Sequence, residues 1–125
     1  MPEITSTYAA LLGVLFLILS VRVITRRRGR RVAFGTGGDG DLERRVRIQA
    51  NFAEYVPLAL LLIFFAELRG ADAAVVHALC LMLVAGRVAH AVGLSSPRSD
   101  GFGRIAGMTG TQTAILGAVI AILAT

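Results

Sequence analysis

The stretch Arg47–Leu68, RIQANFAEYVPLALLLIFFAEL, changes character halfway along. Its second half, LALLLIFF, is apolar on every side of a helix, while its first half carries Arg47, Asn51, Glu54 and Tyr55. A helix that is apolar all round belongs in a bilayer or in the core of a large protein, and a chain of 125 residues builds no large core. At a rise of about 1.5 Å per residue, roughly 20 residues match a hydrocarbon layer of about 30 Å. Residues 48–68 are therefore expected to cross a membrane as a helix.

Three more runs of that length obey the same logic, giving spans at 4–24, 48–68, 73–94 and 105–124 and a cytoplasmic loop at 25–43. Composition agrees, with 55% hydrophobic residues and a mean hydropathy of +0.71. The expected fold class is all-α, an integral membrane four-helix bundle forming a single domain over 1–125. The first run opens PEITSTY, with no basic residue ahead of it and no small-residue cleavage site leading into a polar domain, so it is read as a retained span.

Charge sets the orientation. All 13 basic residues are Arg; nine lie between Arg22 and Arg47, Arg98 and Arg104 flank the third connection, and the second has only Arg69. The positive-inside rule places the first and third connections in the cytoplasm and both termini on the other side. The net charge of +5 then calls for no nucleic acid, and the run RRRGRR reads first as a topogenic patch facing the headgroups of membrane lipids. Gly35, Gly37 and Gly40 fall in the order G-x-G-x-x-G, but a dinucleotide loop needs a strand before it and a parallel strand after it. These glycines lead into a membrane span instead, and the chain has no Lys for a phosphate loop. GTGGDG is read as a flexible linker, with Asp41 capping a helix that begins at Leu42.

That helix is where chemistry is expected. At 100° per residue, Arg44, Arg47, Asn51, Glu54 and Tyr55 share an arc of roughly 100°. Polar groups in a bilayer cost several kcal/mol each without partners, so the arc must face protein or a wet cleft. One structural ion pair would not need all of these residues, and a ligand site is the sharper reading. Pro57, by pressing on the carbonyl of Ala53, is expected to kink the span and open this face. Arg87 and His90, three apart on the third span, lie at similar depth; for Arg87, snorkelling to the headgroups competes evenly with a site role. His77, near the other end, is read as solvated or hydrogen-bonded, and no second ligand stands at metal-binding spacing from it. Cys80 is the only cysteine, on an apolar span with no cation nearby, and is read as a small hydrophobe. On the last span Ala106, Gly110, Ala114 and Ala118, with Thr113, Gly117 and Ala121 beside them, form rows suited to close helix contact. Thr109, Thr111 and Gln112 are expected to bond across helices in preference to bordering the cleft.

The run Arg47-x-Gln49-x-Asn51-x-x-Glu54-Tyr55-x-Pro57 resembles the second-helix signature of the MAPEG superfamily, the membrane-associated proteins of eicosanoid and glutathione metabolism. Arg27-Arg28-x-x-Arg31-Val32 resembles the exit of that family's first helix, and Arg87-x-x-His90 a motif of its third. The resemblance spans nearly the whole chain and is nearest to a small bacterial branch, which implies a multi-pass protein of the bacterial inner membrane. It also implies a homotrimer holding glutathione between adjacent subunits near the cytoplasmic side. Carried over by position, Arg27, Arg47, Gln49, Asn51, Glu54, Tyr55, Arg87 and His90 would bind glutathione. Arg28 and Arg104 would be the catalytic cations beside its thiol, with Arg98 a competitor of Arg104. Gln49 points roughly 160° from Asn51 on the helix, which fits a residue serving the site shared with the other neighbour.

The chemistry implied is that of a glutathione transferase or peroxidase acting on a lipophilic small-molecule substrate. Forked Arg donors suit two carboxylates and Glu54 suits one ammonium. Where synthases of the family carry a Tyr four residues past the His, this chain has Leu94. Two other classes compete. A non-catalytic trimeric scaffold or accessory subunit would keep the fold without thiol activation. A small four-span exporter would need Glu54 to titrate, which adjacent Arg residues oppose.

Overall fold

In lipid the backbone can satisfy its polar groups only internally, which selects helices for apolar runs of this length. The computed structural model describes residues 1–97 and 101–125 and contains four helices: α1 (Glu3–Arg30), α2 (Gly40–Leu68), α3 (Ala73–Leu94) and α4 (Phe102–Ala124). All four are long and apolar enough to cross a membrane, and no strand occurs among the described residues. The start of α1, the end of α4 and the α2–α3 turn lie at one end of the bundle, the terminal end; the end of α1, the start of α2, the end of α3 and the start of α4 lie at the other, the loop end.

The helices outrun the apolar runs at the loop end. α1 continues through the arginines to Arg30 and stops where Arg31 turns left-handed, with φ 56°. α2 begins at Gly40, and its N-cap is Asp39, whose carboxylate accepts from the amides of Asp41 (3.1 Å) and Leu42 (3.4 Å). The cap expected at Asp41 is thus two residues earlier. Nor is the glycine segment loose. Arg26 holds Asp39 with two hydrogen bonds, 2.9 and 3.1 Å, and Arg27 donates to the carbonyl of Gly35 at 2.7 Å. The last turn of α1 folds its guanidinium groups back onto the connection, which composition alone did not disclose. The Arg26 guanidinium, bonded directly to Asp39, holds that carboxyl below the ordinary aspartate range, and Asp39 in turn raises Arg26.

Within the bundle α3 and α4 make the most intimate pair, because Gly86 and Gly93 of α3 meet Gly107 and Gly103 of α4 at backbone distance. A Cβ on Gly93 would lie 2.7 Å from the backbone of Gly103 and Arg104, and one on Gly107 would meet His90 at 2.7 Å and collide with the Gly86 carbonyl. The small-residue row expected on α4 is therefore right at Ala114 and Ala118, which are buried, but Ala106 is exposed and Gly107 takes the seam instead. The glycines of α3 decide this register, since a Cβ on either would run into the α4 backbone.

α2 packs on all three other helices and runs unbroken through Pro57, while α1 packs on α2 and α3 and makes no contact with α4. The apolar core includes Leu19, Phe52, Val56, Ile63, Leu79 and Leu83. At the terminal end Glu67 of α2 accepts the backbone N–H groups of Ile4 (3.0 Å) and Thr5 (2.9 Å). It caps α1, whose own N-cap residue, Pro2, offers no side-chain acceptor. Tyr8 and His77 hydrogen-bond at 3.1 Å beside it. Because α1 stays away from α4, the α2–α4 side is left as a groove.

Candidate functional site

α2 presents Arg47 and Asn51 to that groove from the arc anticipated by helical spacing, and α3 and α4 complete it. Near the loop end a cavity of about 440 Å³ is lined by Arg47 and Asn51, by His90 and Leu94, and by Arg104, Ile105, Met108 and Thr109. A second cavity of about 760 Å³ is lined by Tyr55 and by Met108, Thr109, Gln112, Thr113, Ile115, Leu116 and Val119. Met108 and Thr109 belong to both, so the two form one groove that is polar and cationic at the loop end and largely apolar deeper in the bundle.

Behind the polar wall lies Arg87, only 2% exposed. Its guanidinium contacts Thr111 Oγ1 at 3.4 Å, His90 Nδ1 at 3.4 Å and Met108 Sδ at 3.9 Å, and stands 5.8 Å from the Phe52 ring centroid. Thr111 gives its own proton to the Gly107 carbonyl. Burial at this depth rules out snorkelling. Arg87 supports the wall from inside and orients His90, which is itself buried. Buried polar atoms are nearly always partnered, yet Arg87 Nε and Asn51 Oδ1 have no partner. Among the described residues no carboxylate pairs with Arg47, Arg87 or Arg104.

The remaining site candidates divide. Glu54 is exposed, lines neither cavity and forms no ion pair among the described residues. Gln49 is turned to the opposite side and donates to Ser20 of α1 at 2.9 Å, so within one protomer it is not part of the groove. Arg27 is engaged with the carbonyls of Gly35 and Val32, and Arg28 is exposed on the last turn of α1. Neither lines the groove. Arg98 lies outside the described residues. Ile105 and Met108 were missed from the sequence, and Thr109 and Gln112 border the cleft after all. The signal was available: residues 104, 105, 108, 109, 112, 115, 116 and 119 keep to i, i+3, i+4 spacing and mark one face of α4. No group of three or more His, Cys, Asp or Glu that could hold a metal occurs among the described residues.

A family model described as the MAPEG family matches residues 5–124. The chain belongs to the MAPEG family. Inner membrane protein YecN of Escherichia coli strain K12 is 36% identical over 118 residues, covering 94% of this chain and 88% of the relative. The protein of the same name from E. coli O6:H1 strain CFT073 matches to the same extent. With four helices able to cross a bilayer and a relative named for the inner membrane, this MAPEG chain is a multi-pass protein of the bacterial inner membrane.

Proposed function

We propose that the chain is a membrane-embedded glutathione-binding protein, assembled as a homotrimer, that acts as a glutathione transferase or peroxidase on lipophilic electrophiles. The observation that carries this reading is the uncompensated charge of the groove. Arg47, Arg104, His90 and a partnerless Asn51 oxygen converge on one cavity, with the Arg87 guanidinium behind His90, and among the described residues no carboxylate pairs with these arginines. Such a site favours an anion with more than one acidic group. Glutathione offers two carboxylates, an ammonium and, near neutral pH, a thiol of ordinary pKa about 8.5 that becomes a nucleophile on losing its proton. Arg104 at the cavity supplies a guanidinium cation that favours the thiolate.

Glu54 supports the subunit boundary. A carboxylate exposed on the membrane-crossing part of one protomer is costly in lipid, and a neighbouring copy that covers it removes the cost. A site formed there takes Glu54 as partner to the ligand ammonium, and it gives Arg28 and Gln49 a route to the ligand from the adjacent subunit. The deeper, apolar cavity beside Tyr55 and Leu116 is suited to holding a lipophilic second substrate next to the thiol. The arginine distribution favours the loop end as cytoplasmic, with both termini outside.

A second reading rests on Leu94, which lines the polar cavity and brings no hydroxyl to it. On that reading the groove binds glutathione without activating it, and the chain is an accessory subunit. Titration of the detergent-purified protein with glutathione, monitoring ultraviolet thiolate absorbance, separates the two. Saturable binding with a thiolate signal supports the enzyme, binding without it supports the accessory subunit, and no binding overturns both.

A further inference from the structure

Away from the groove, a separate cavity of about 260 Å³ opens where α1 leaves the apolar layer. It is lined by Thr25, Arg26, Gly29 and Arg30 of α1 and by Arg45 of α2. Its depth is set by the helix that carries it. Val21 and Ile24 are exposed, as lipid-facing residues are, and the lining begins at the next residue, so the cavity lies at headgroup level. Gly29 leaves its floor open, since a Cβ there would touch nothing within 4 Å.

The arginines are held in place by two carboxylates. Asp39 reaches Arg26 Nε at 2.9 Å and Arg30 Nε at 3.5 Å, and Asp41 reaches Arg26 Nε at 3.2 Å and Arg45 Nε at 3.0 Å. Arg44 approaches Asp41 at 3.7 Å. Four arginines thus share two carboxylates. The carboxylates meet Arg26 at Nε and Nη2 and Arg30 and Arg45 at Nε, and each guanidinium has five donors, so the cluster keeps both net positive charge and hydrogen-bonding capacity. Arg45 also donates to the Arg22 carbonyl at 2.8 Å, which fixes α2 against α1 and makes the cavity a built feature and not an accident of side chains.

We propose that this cavity binds the phosphate headgroup of an anionic membrane lipid. Basic pockets between membrane helices at headgroup level take such groups. Planar guanidinium forks suit phosphate oxygens, and the acyl chains would continue along the exposed apolar face of α1. The assignment is independent of glutathione, because none of these residues lines the groove.

The test uses the intact protein in a neutral detergent. Short-chain phosphatidylglycerol is titrated in, with phosphatidylcholine of equal chain length and inorganic phosphate as comparisons. Saturable binding of phosphatidylglycerol, tighter than that of phosphatidylcholine, is expected. Arg30→Gln, a mostly exposed lining residue, should weaken it about fivefold, while Arg31→Gln, which removes the same charge one residue away and off the cavity, should leave it nearly unchanged. Equal losses in the two variants would mean diffuse attraction and would overturn the assignment. So would equal binding of the two lipids, or displacement by inorganic phosphate at the lipid's own concentration, which would mark a site for a free anion.

Discussion

Arg26 and Arg87 are the same residue in two opposite situations. Arg26, at the loop end of α1, meets Asp39 and Asp41 at 2.9 and 3.2 Å and ties the connection to the helix. Arg87, buried in the bundle, has a hydroxyl, an imidazole, a thioether and a ring for company but, among the described residues, no carboxylate. The two glutamates of the α2 span differ in the same way: Glu67 accepts two backbone N–H groups of α1, whereas Glu54 is exposed and forms no ion pair among the described residues. Charges that hold a fold together bring their partners with them. On the proposed function, charges left without partners in an apolar setting await a ligand or a neighbouring subunit.

The contrast breaks most visibly if the groove cations are removed. Arg47→Met and Arg104→Met should each weaken glutathione binding about tenfold, and together about a hundredfold, with the melting temperature unchanged or raised. Arg26→Met should do the reverse, lowering the melting temperature and leaving affinity alone. Calorimetric titration alongside thermal denaturation reads both quantities, and a loss of stability in the groove variants would make those arginines structural. The α3–α4 seam comes next. Gly107→Ala forces a methyl against the Gly86 carbonyl and His90, at a cost of about 1–3 kcal/mol in stability. Because His90 lines the polar cavity, affinity should fall with it.

A smaller effect separates the glutamates. Glu67→Ala removes the acceptor of two amides and should cost about 1–2 kcal/mol of stability without touching glutathione affinity, while Glu54→Ala should lower affinity and spare stability. Equal behaviour of the two in denaturation and titration would erase the distinction. The smallest effect concerns pH. Asp39, held below its ordinary value of 3.8 chiefly by its hydrogen bond to Arg26, stabilises the folded connection fully above that value. The contribution is lost as pH falls through the lowered folded-state value. Hydrogen exchange at the amides of Asp41 and Leu42 should therefore be flat between about pH 5 and 8, after correction for intrinsic rates, and lose protection only below the ordinary aspartate range.

Much of this was legible in the sequence because the relevant physics is local or periodic. Four apolar runs fix four helices, and the 100° step puts Arg47 and Asn51 on one face, where the groove finds them. What escaped depends on the chain folding back on itself. Nothing in RRRGRR says that Arg26 and Arg27 will reach across to Asp39 and Gly35, so both the cap of α2 and the order of its glycine-rich approach were misread. The α4 wall was missed for a different reason. Its small residues suggested several equivalent seams, and only Gly86 and Gly93 of α3 choose between them, turning Met108 and Thr109 to the cleft. Gln49 illustrates the limit of motif matching, since within the protomer its amide belongs to Ser20.

The most direct test is a density map of the protein in lipid nanodiscs with glutathione present. A trimer with tripeptide-shaped density in the α2–α4 groove, in contact with Arg47, Asn51 and Arg104 and with the side chain of Glu54 at the subunit boundary, is the expected result. A monomer, or a closed seam in which Glu54 merely neutralises these arginines with no ligand between them, would contradict it.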